Sequence, residues 1–198
     1  VQSEVLKDSP RLTHYADFDT PDVANADGYT IKTGQQLTVQ EGAWEIKDGV
    51  LRATTLPAKI TFPTPTSGTL LPKMYWSTAT SEVNTGVIWE YVDNNNMLLT
   101  SFDLGSSKMS VTELVGGVST ELSGSSGDIR SYDLYSQNLM LINAPRYSGR
   151  WTLVSEWHKI TLGGGTLSET VQNTGVRGFY GDNTTPRIEG FKYVNPNI

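Results

Sequence analysis

The stretch GAWEIKDGVLRAT, residues 42–54, reads as a strand, a two-residue turn and a second strand. Trp44, Ile46, Val50 and Leu51 are its apolar teeth, and Asp48-Gly49 is a dipeptide that favours tight hairpin turns. A lone Trp on an alternating strand offers a large apolar surface, so Trp44 is expected between two sheets. The same period-two pattern, broken by Gly, Asn and Asp, continues on both sides. Residues 30–54 (TIKTGQQLTVQEGAWEIKDGVLRAT) give three or four short strands, and KMYWSTAT gives another. NTGVIWEYVDNNNMLLTSFDL turns around Asp93-Asn94-Asn95-Asn96, and KMSVTELVGGVSTEL turns at Gly116-Gly117. RWTLVSEWHKITLGGGTLSETV is read as one strand turning near Gly163-Gly164-Gly165. TGVRGFYGD and RIEGFKYV close the chain, and no stretch carries an amphipathic helix of three turns. Strands every ten or so residues joined by such turns predict an all-β fold, an antiparallel β-sandwich.

Two stretches interrupt the pattern. FPTPTSGTLLPK, 62–73, carries three prolines and is expected to be a loop or an edge crossing. Residues 123–150, SGSSGDIRSYDLYSQNLMLINAPRYSGR, begin as a Ser/Gly link and turn aromatic, with NLMLINA a further candidate strand. Long loops on a β-scaffold often carry function.

The bulk composition excludes several functions. The chain has 198 residues and a mass of 21.7 kDa, with 37% hydrophobic residues, enough Leu, Ile, Val and aromatics for a sizeable core. A net charge of −6 and a pI near 4.9 argue against nucleic acid or an anionic membrane as partner. No run approaches the roughly 20 apolar residues of a membrane span. The absence of Cys removes disulfides, thiolate metal sites and cysteine nucleophiles, and two distant histidines, His14 and His158, make an imidazole zinc site improbable. The polar start VQSEVLKDSP has no apolar signal region, so the chain reads as complete and cytoplasmically synthesised, although an excised domain would look the same. Residues 1–12 read as an N-terminal extension and 13–198 as a single sandwich domain.

The segments YADFDTPD…DG, GAWEIKDGVLRAT, GVIWEYVDNNNMLLTSF and NTGVRGFYGDNTTPRIEGFKYV follow one another as in concanavalin A-like lectin/glucanase domains. Within that superfamily the chain resembles the laminin-G-like modules of bacterial and phage proteins over roughly residues 13–194. The matching elements are Asp17-Phe18, Trp44 to Leu51, and Thr174 to Tyr180 with Phe191. The resemblance implies a jelly roll with one concave sheet, a final strand pairing with the first, often a bound calcium ion and often a bound glycan.

The glucanase branch works by retaining hydrolysis, with a Glu-x-Asp-x-x-Glu signature on one strand and its two carboxyls roughly 5–5.5 Å apart. No acidic stretch reproduces it. Glu90 and Asp93 are three apart and face opposite sides of a regular strand; Glu41 and Glu45 share a face, but Asp48 sits in a turn. Glu113 and Glu121 lie on two arms of a hairpin, where they could come near each other. Nucleophile-elbow and nucleotide motifs are missing too. The chain is therefore read as non-catalytic, with a divergent glycoside hydrolase as an alternative.

Glycan binding asks for aromatic faces beside hydroxyl-pairing groups. Trp89 and Tyr91 share one face of VIWEYVD and Ile88 with Val92 the other, and either face could be core. On RWTLVSEWHKITL, Trp157 and Lys159 read as the rim of a concave surface and Trp151 as core. Tyr132, Tyr135, Arg146, Tyr147 and Arg150, with Asn138 and Asn143 among them, suit polysaccharide recognition; a loop pinned to the sandwich by its tyrosines is the plainer reading. Trp76 is equally compatible with core and platform. Calcium needs clustered oxygens; Asp17, Asp19, Asp182 and Asn183 would meet if the two chain ends of a jelly roll are neighbours, with ordinary turn chemistry as the alternative. Glu189 stands where many of the resembled modules have Asp.

A cysteine-free, acidic sandwich rich in Thr, Ser, Gly and Asn resembles phage virion parts. The resulting expectation is a glycan-recognition module of a phage tail, fibre or head decoration that contacts host surface polysaccharide and other virion subunits, a homo-oligomer being one such assembly. The rivals are a purely architectural virion protein, and a secreted adhesin or accessory domain.

Overall fold

In the computed structural model the described residues are 12–65, 69–76, 85–103, 108–126, 137–144, 150–155, 160–163 and 167–194. Thirteen strands run in order: β1 (Leu12–Ala16), β2 (Thr38–Lys47), β3 (Val50–Pro63), β4 (Thr69–Trp76), β5 (Thr85–Asp93), β6 (Asn96–Asp103), β7 (Lys108–Val115), β8 (Val118–Ser126), β9 (Gln137–Ala144), β10 (Arg150–Ser155), β11 (Ile160–Gly163), β12 (Val176–Gly181) and β13 (Pro186–Val194). Every pairing among the described residues is antiparallel, in the order β11-β10-β9-β4-β13-β3-β12-β5-β6-β7-β8, with β1 on β13 and β2 on β3. The only described helix is one 3-10 turn, Glu169–Val171.

The hydrogen-bonded path folds into two layers because β3 belongs to both. Its start pairs with β13 (Leu51 with Ile188), and its end pairs with β12 (Ile60 with Phe179). Phe62, at the far end of β3, stacks on Phe191 of β13 with ring centroids 4.3 Å apart and planes 14° apart, although no ladder joins them. Phe179 closes the same group, 5.8 Å from Phe191. These rings, with Trp44, Ile46, Leu51, Ile60, Val87, Trp89, Leu98, Met109 and Val111, form the core of the sandwich. Aromatic contacts of this kind contribute about 0.5–1.5 kcal/mol beyond the apolar area they bury.

The β2–β3 hairpin forms as its sequence asks. Asp48 and Gly49 have φ of 53° and 75°, the two left-handed positions of a type I′ turn. Trp44 pairs with Ala53 and Ile46 with Leu51, all four buried, while Val50 falls on the other face. The expected turns at Asp93–Asn96 and Gly116-Gly117 are also present, and NLMLINA lies within β9. The last strand pairs with the first, Ala16 opposite Phe191.

Two expectations are corrected. β4 begins at Thr69 and lies between β13 and β9, so Pro72 sits inside a paired strand. Leu71 and Pro72 have no register partner on β9, where the ladder pauses between Leu70 and Lys73 without changing register, so the missing N–H interrupts the pairing only locally. Residues 151–162 do not form one strand. Ser155 pairs with Ile160, so the chain reverses between β10 and β11 before reaching the glycines.

Candidate functional site

The layer β3-β12-β5-β6-β7-β8 has an inner face in the core and an outer face that carries a groove of about 320 Å³. Cross-strand register decides which residues line it. Lys59, Tyr180, Gly86, Ser101 and Ser110 form one row across β3, β12, β5, β6 and β7. Thr61, Gly178, Ile88, Leu99 and Thr112 form the next, and Tyr91, Met97, Leu114 and Ser119 a third. Ile88, Tyr91, Met97 and Tyr180 make a second apolar cluster, separate from the core, with Leu99, Leu114 and Val176 packed against it. The groove thus has an aliphatic and thioether floor with Lys59, Asp182, Asn94, Ser101, Thr112 and Ser119 around it.

Glycine shapes this floor. A Cβ on Gly86 would lie 1.8 Å from the Thr100 carbonyl oxygen and 3.2 Å from the Tyr180 ring. Gly86 therefore lets the ring lie flat across β5, where its hydroxyl donates to the Thr100 carbonyl at 3.3 Å. Burial, helped by the nearby Asp182 charge, holds the Tyr180 phenol well above its usual range, so it stays a neutral donor. The Tyr91 hydroxyl is shared between Asn94 Oδ1 at 3.1 Å and Gln40 Oε1, on β2, at 3.3 Å. Reaching Gln40 means passing over β12 and β3, a span that a concave sheet shortens. Desolvation, then Asp93 and Glu41, raise the Tyr91 pKa.

A charged end borders the groove. Lys59 is ion-paired with Glu41, its cross-strand partner. Asp182, just after β12, has its pKa raised chiefly by desolvation; Lys59 pulls it down and Glu41 pushes it up. On the concave positions of the central strands stand Val176, Gly178 and Tyr180 of β12, Gly86, Ile88 and Tyr91 of β5, and Met97, Leu99 and Ser101 of β6; Asp103, next on the same alternation of β6, has its side chain outside the described residues. Glu113 and Glu121 fall in adjacent rows, opposite Thr120 and Thr112, and so on opposite faces: Glu113 accepts from the Ser168 amide, and Glu121 binds Lys108. They do not form a couple.

Several expected site residues are placed differently. Trp89 is fully buried in the core and donates from Nε1 to Thr100 Oγ1 at 2.5 Å, so it presents no platform to a ligand. Tyr91 lies on the opposite face, because β5 bulges between Ile88 and Glu90 and the alternation changes phase. Tyr91 walls the groove but is only 7% exposed, with its hydroxyl already engaged. Tyr132, Tyr135, Arg146, Tyr147, Trp157 and Lys159 lie outside the described residues, as do the side chains of Arg150, Trp151 and Trp76.

Of the four oxygen-bearing residues considered for calcium, Asp17 and Asp182 have different neighbours. Asp17 pairs with Lys32 at 2.5 Å and lies against Gly190, whereas Asp182 borders the groove beside Lys59. Gly190 is four residues along β13 from Pro186, roughly 13 Å at 3.3 Å per residue, and Asp182 lies before that. No cluster of three or more His, Cys, Asp or Glu able to hold a metal occurs among the described residues.

No protein-family model and no curated protein sequence matches the chain. Solved structures do. Carbohydrate-binding module CBM66 from Bacillus subtilis superposes with a TM-score of 0.56 at 9% identity, covering 80% of this chain and 92% of that one. The exoplasmic/lumenal domain of VIP36, in a Ca2+/Man3GlcNAc-bound form, gives 0.59 at 14%, covering 92% and 90%. The GH43 protein BlXynB from Bacillus licheniformis gives 0.62 at 14%; it covers 94% of this chain, which spans only 39% of that protein. The CBM2 module of the evolved Dit of Lactobacillus casei BL23 phage J-1 gives 0.53 at 14%, covering 92% and 94%. At such identities the likeness establishes the fold.

Proposed function

With the concanavalin A-like lectin/glucanase fold as premise, we propose that this chain is a non-catalytic glycan-binding module whose ligand lies along the concave groove. The observation that carries the reading is the groove itself: an apolar floor of Met97, Leu99 and Leu114 ringed by groups able to pair hydroxyls. Sugars offer apolar C–H faces and a belt of hydroxyls, and a shallow site of this composition and volume answers both. Carbohydrate-binding modules and a glycan-bound lectin share the fold, which supports the reading. The groove lining, in which Asp182 is the single carboxylic acid, weighs against hydrolysis, because retaining chemistry needs two carboxyls facing each other across the sugar.

A place on a phage particle, in contact with host surface polysaccharide, is part of the proposal. It draws support from the phage Dit module of the same fold. Trp157, Lys159, Tyr132, Tyr135, Arg146, Tyr147 and Arg150 are proposed as a second, aromatic and basic part of the contact. The rival architectural reading draws on one feature: Val92 and Val118, 49% and 68% exposed, flank two hairpin turns stitched together by Gly117 N–H to Asn95 C=O at 2.9 Å.

The test is a glycan array and host-polysaccharide pull-down with wild type, Leu99→Arg, Trp157→Ala and Tyr147→Ala. Saturable binding that falls tenfold or more in Leu99→Arg is expected. Loss only in the Trp157 and Tyr147 variants would move the site off the groove, and absence of binding at high module density would favour architecture. Release of reducing sugar from host polysaccharide would restore the hydrolase.

A further inference from the structure

The charge pattern of the groove bears on which glycans it accepts, an inference that rests on the proposed saccharide site. Lys59 from β3, Glu41 from β2 and Asp182 from the turn after β12 meet at one end. The Lys59 ammonium is already paired with Glu41, and those side chains are only 14% and 33% exposed. Two carboxylates, those of Glu41 and Asp182, thus stand at this end beside the one ammonium of Lys59. Further along the face Lys108 pairs with Glu121 at 2.7 and 2.5 Å. The remaining polar lining, Asn94, Ser101, Thr112 and Ser119, is neutral.

The geometry points to a groove that selects uncharged, hydroxyl-rich saccharides and rejects those bearing uronate or sulfate, with Asp182 and Lys59 as the specificity-determining residues. Carboxylate oxygens accept from sugar hydroxyls and the ammonium donates to them, so a neutral ring satisfies both. An anionic substituent would stand beside Asp182 and Glu41 and could reach Lys59 only by displacing Glu41. Discrimination of this kind comes from the repulsive element as much as from the attractive one. A site built to pair hydroxyls also loses heavily when a substituent leaves its polar groups unmatched.

The experiment compares immobilised neutral glucans, mannans and galactans with uronate-bearing and sulfated polysaccharides, at low and at near-physiological salt. Wild type is expected to hold the neutral set at least tenfold more tightly, with a gap that widens at low salt, where screening is weaker. Asp182→Asn should narrow the gap severalfold, and Lys59→Met should weaken neutral binding; thermal melts confirm that each variant is folded. Tighter or equal binding of the anionic set, or a gap unchanged by Asp182→Asn, overturns the selectivity while leaving the saccharide site standing. Failure of wild type to hold any saccharide removes both.

Discussion

Glu90→Gln tests the internal logic of the sandwich. Glu90 is fully buried, and its Oε2 accepts from Arg177 Nη1 at 2.7 Å, from the Thr174 amide at 2.9 Å and from the Thr174 hydroxyl at 2.7 Å. Arg177 is equally enclosed, and its Nη2 has no hydrogen-bond partner, so Glu90 supplies its counter-charge. The pair also anchors the bulge that turns Tyr91 into the groove, since the Tyr91 amide donates to Thr174 Oγ1 at 3.2 Å. Amide replacement keeps the volume and strands the guanidinium. Removing one partner of a buried pair typically costs about 3–5 kcal/mol. For a chain of this size each kcal/mol moves Tm by about 2–4 °C, so a fall of roughly 6–20 °C is expected in calorimetry. The double variant Glu90→Leu with Arg177→Met should recover most of it, because an apolar substitute for a buried pair is often neutral or stabilising. A loss under about 1 kcal/mol for Glu90→Gln, or a double variant worse than the single, would refute the reasoning.

Three further outcomes follow from the geometry. Gly86→Ala places a methyl 1.8 Å from the Thr100 carbonyl, and urea denaturation should show a loss of about 3 kcal/mol or more, the upper range for overpacking. An acid with a raised folded-state pKa contributes most favourably below its ordinary value near 3.8, and that contribution is lost as pH climbs through the raised value. Asp182→Asn should therefore be more stable than wild type at pH 7 and about equal to it near pH 3, read as Tm against pH. Asp17→Asn removes an exposed pair with Lys32 and should cost no more than about 1 kcal/mol, equally with EDTA and with millimolar calcium. A calcium-dependent difference would make Asp17 a ligand after all.

The fold was legible because turn chemistry and alternation agree along the chain. Asp48-Gly49 and Gly116-Gly117 adopt the left-handed φ values that two-residue hairpins require, and Trp44 and Ile46 face inward together. The groove was not legible, for two physical reasons. A bulge such as the one at Ile88–Glu90 leaves no mark in alternation, yet it sends Trp89 to the core and Tyr91 to the groove. The groove rows also depend on cross-strand register: Leu99 gains its meaning from Ile88 on one side and Thr112 on the other, which lie far from it in purpose though near in sequence. Met97, Leu99 and Ser101 alternate with Leu98 and Thr100, and nothing in that run says which set faces outward. Lys59 and Glu41, 18 residues apart, declared no pairing until β2 and β3 were in register.

Calorimetric titration of uncharged gluco-, manno- and galacto-oligosaccharides into wild type and Leu99→Arg tests the concave-face site most directly. Saturable heat with wild type, weakened tenfold or more by filling the floor with arginine, and intact oligosaccharide recovered afterwards, is the predicted result. Equal binding by both proteins, or shortened sugar in the cell, would contradict it.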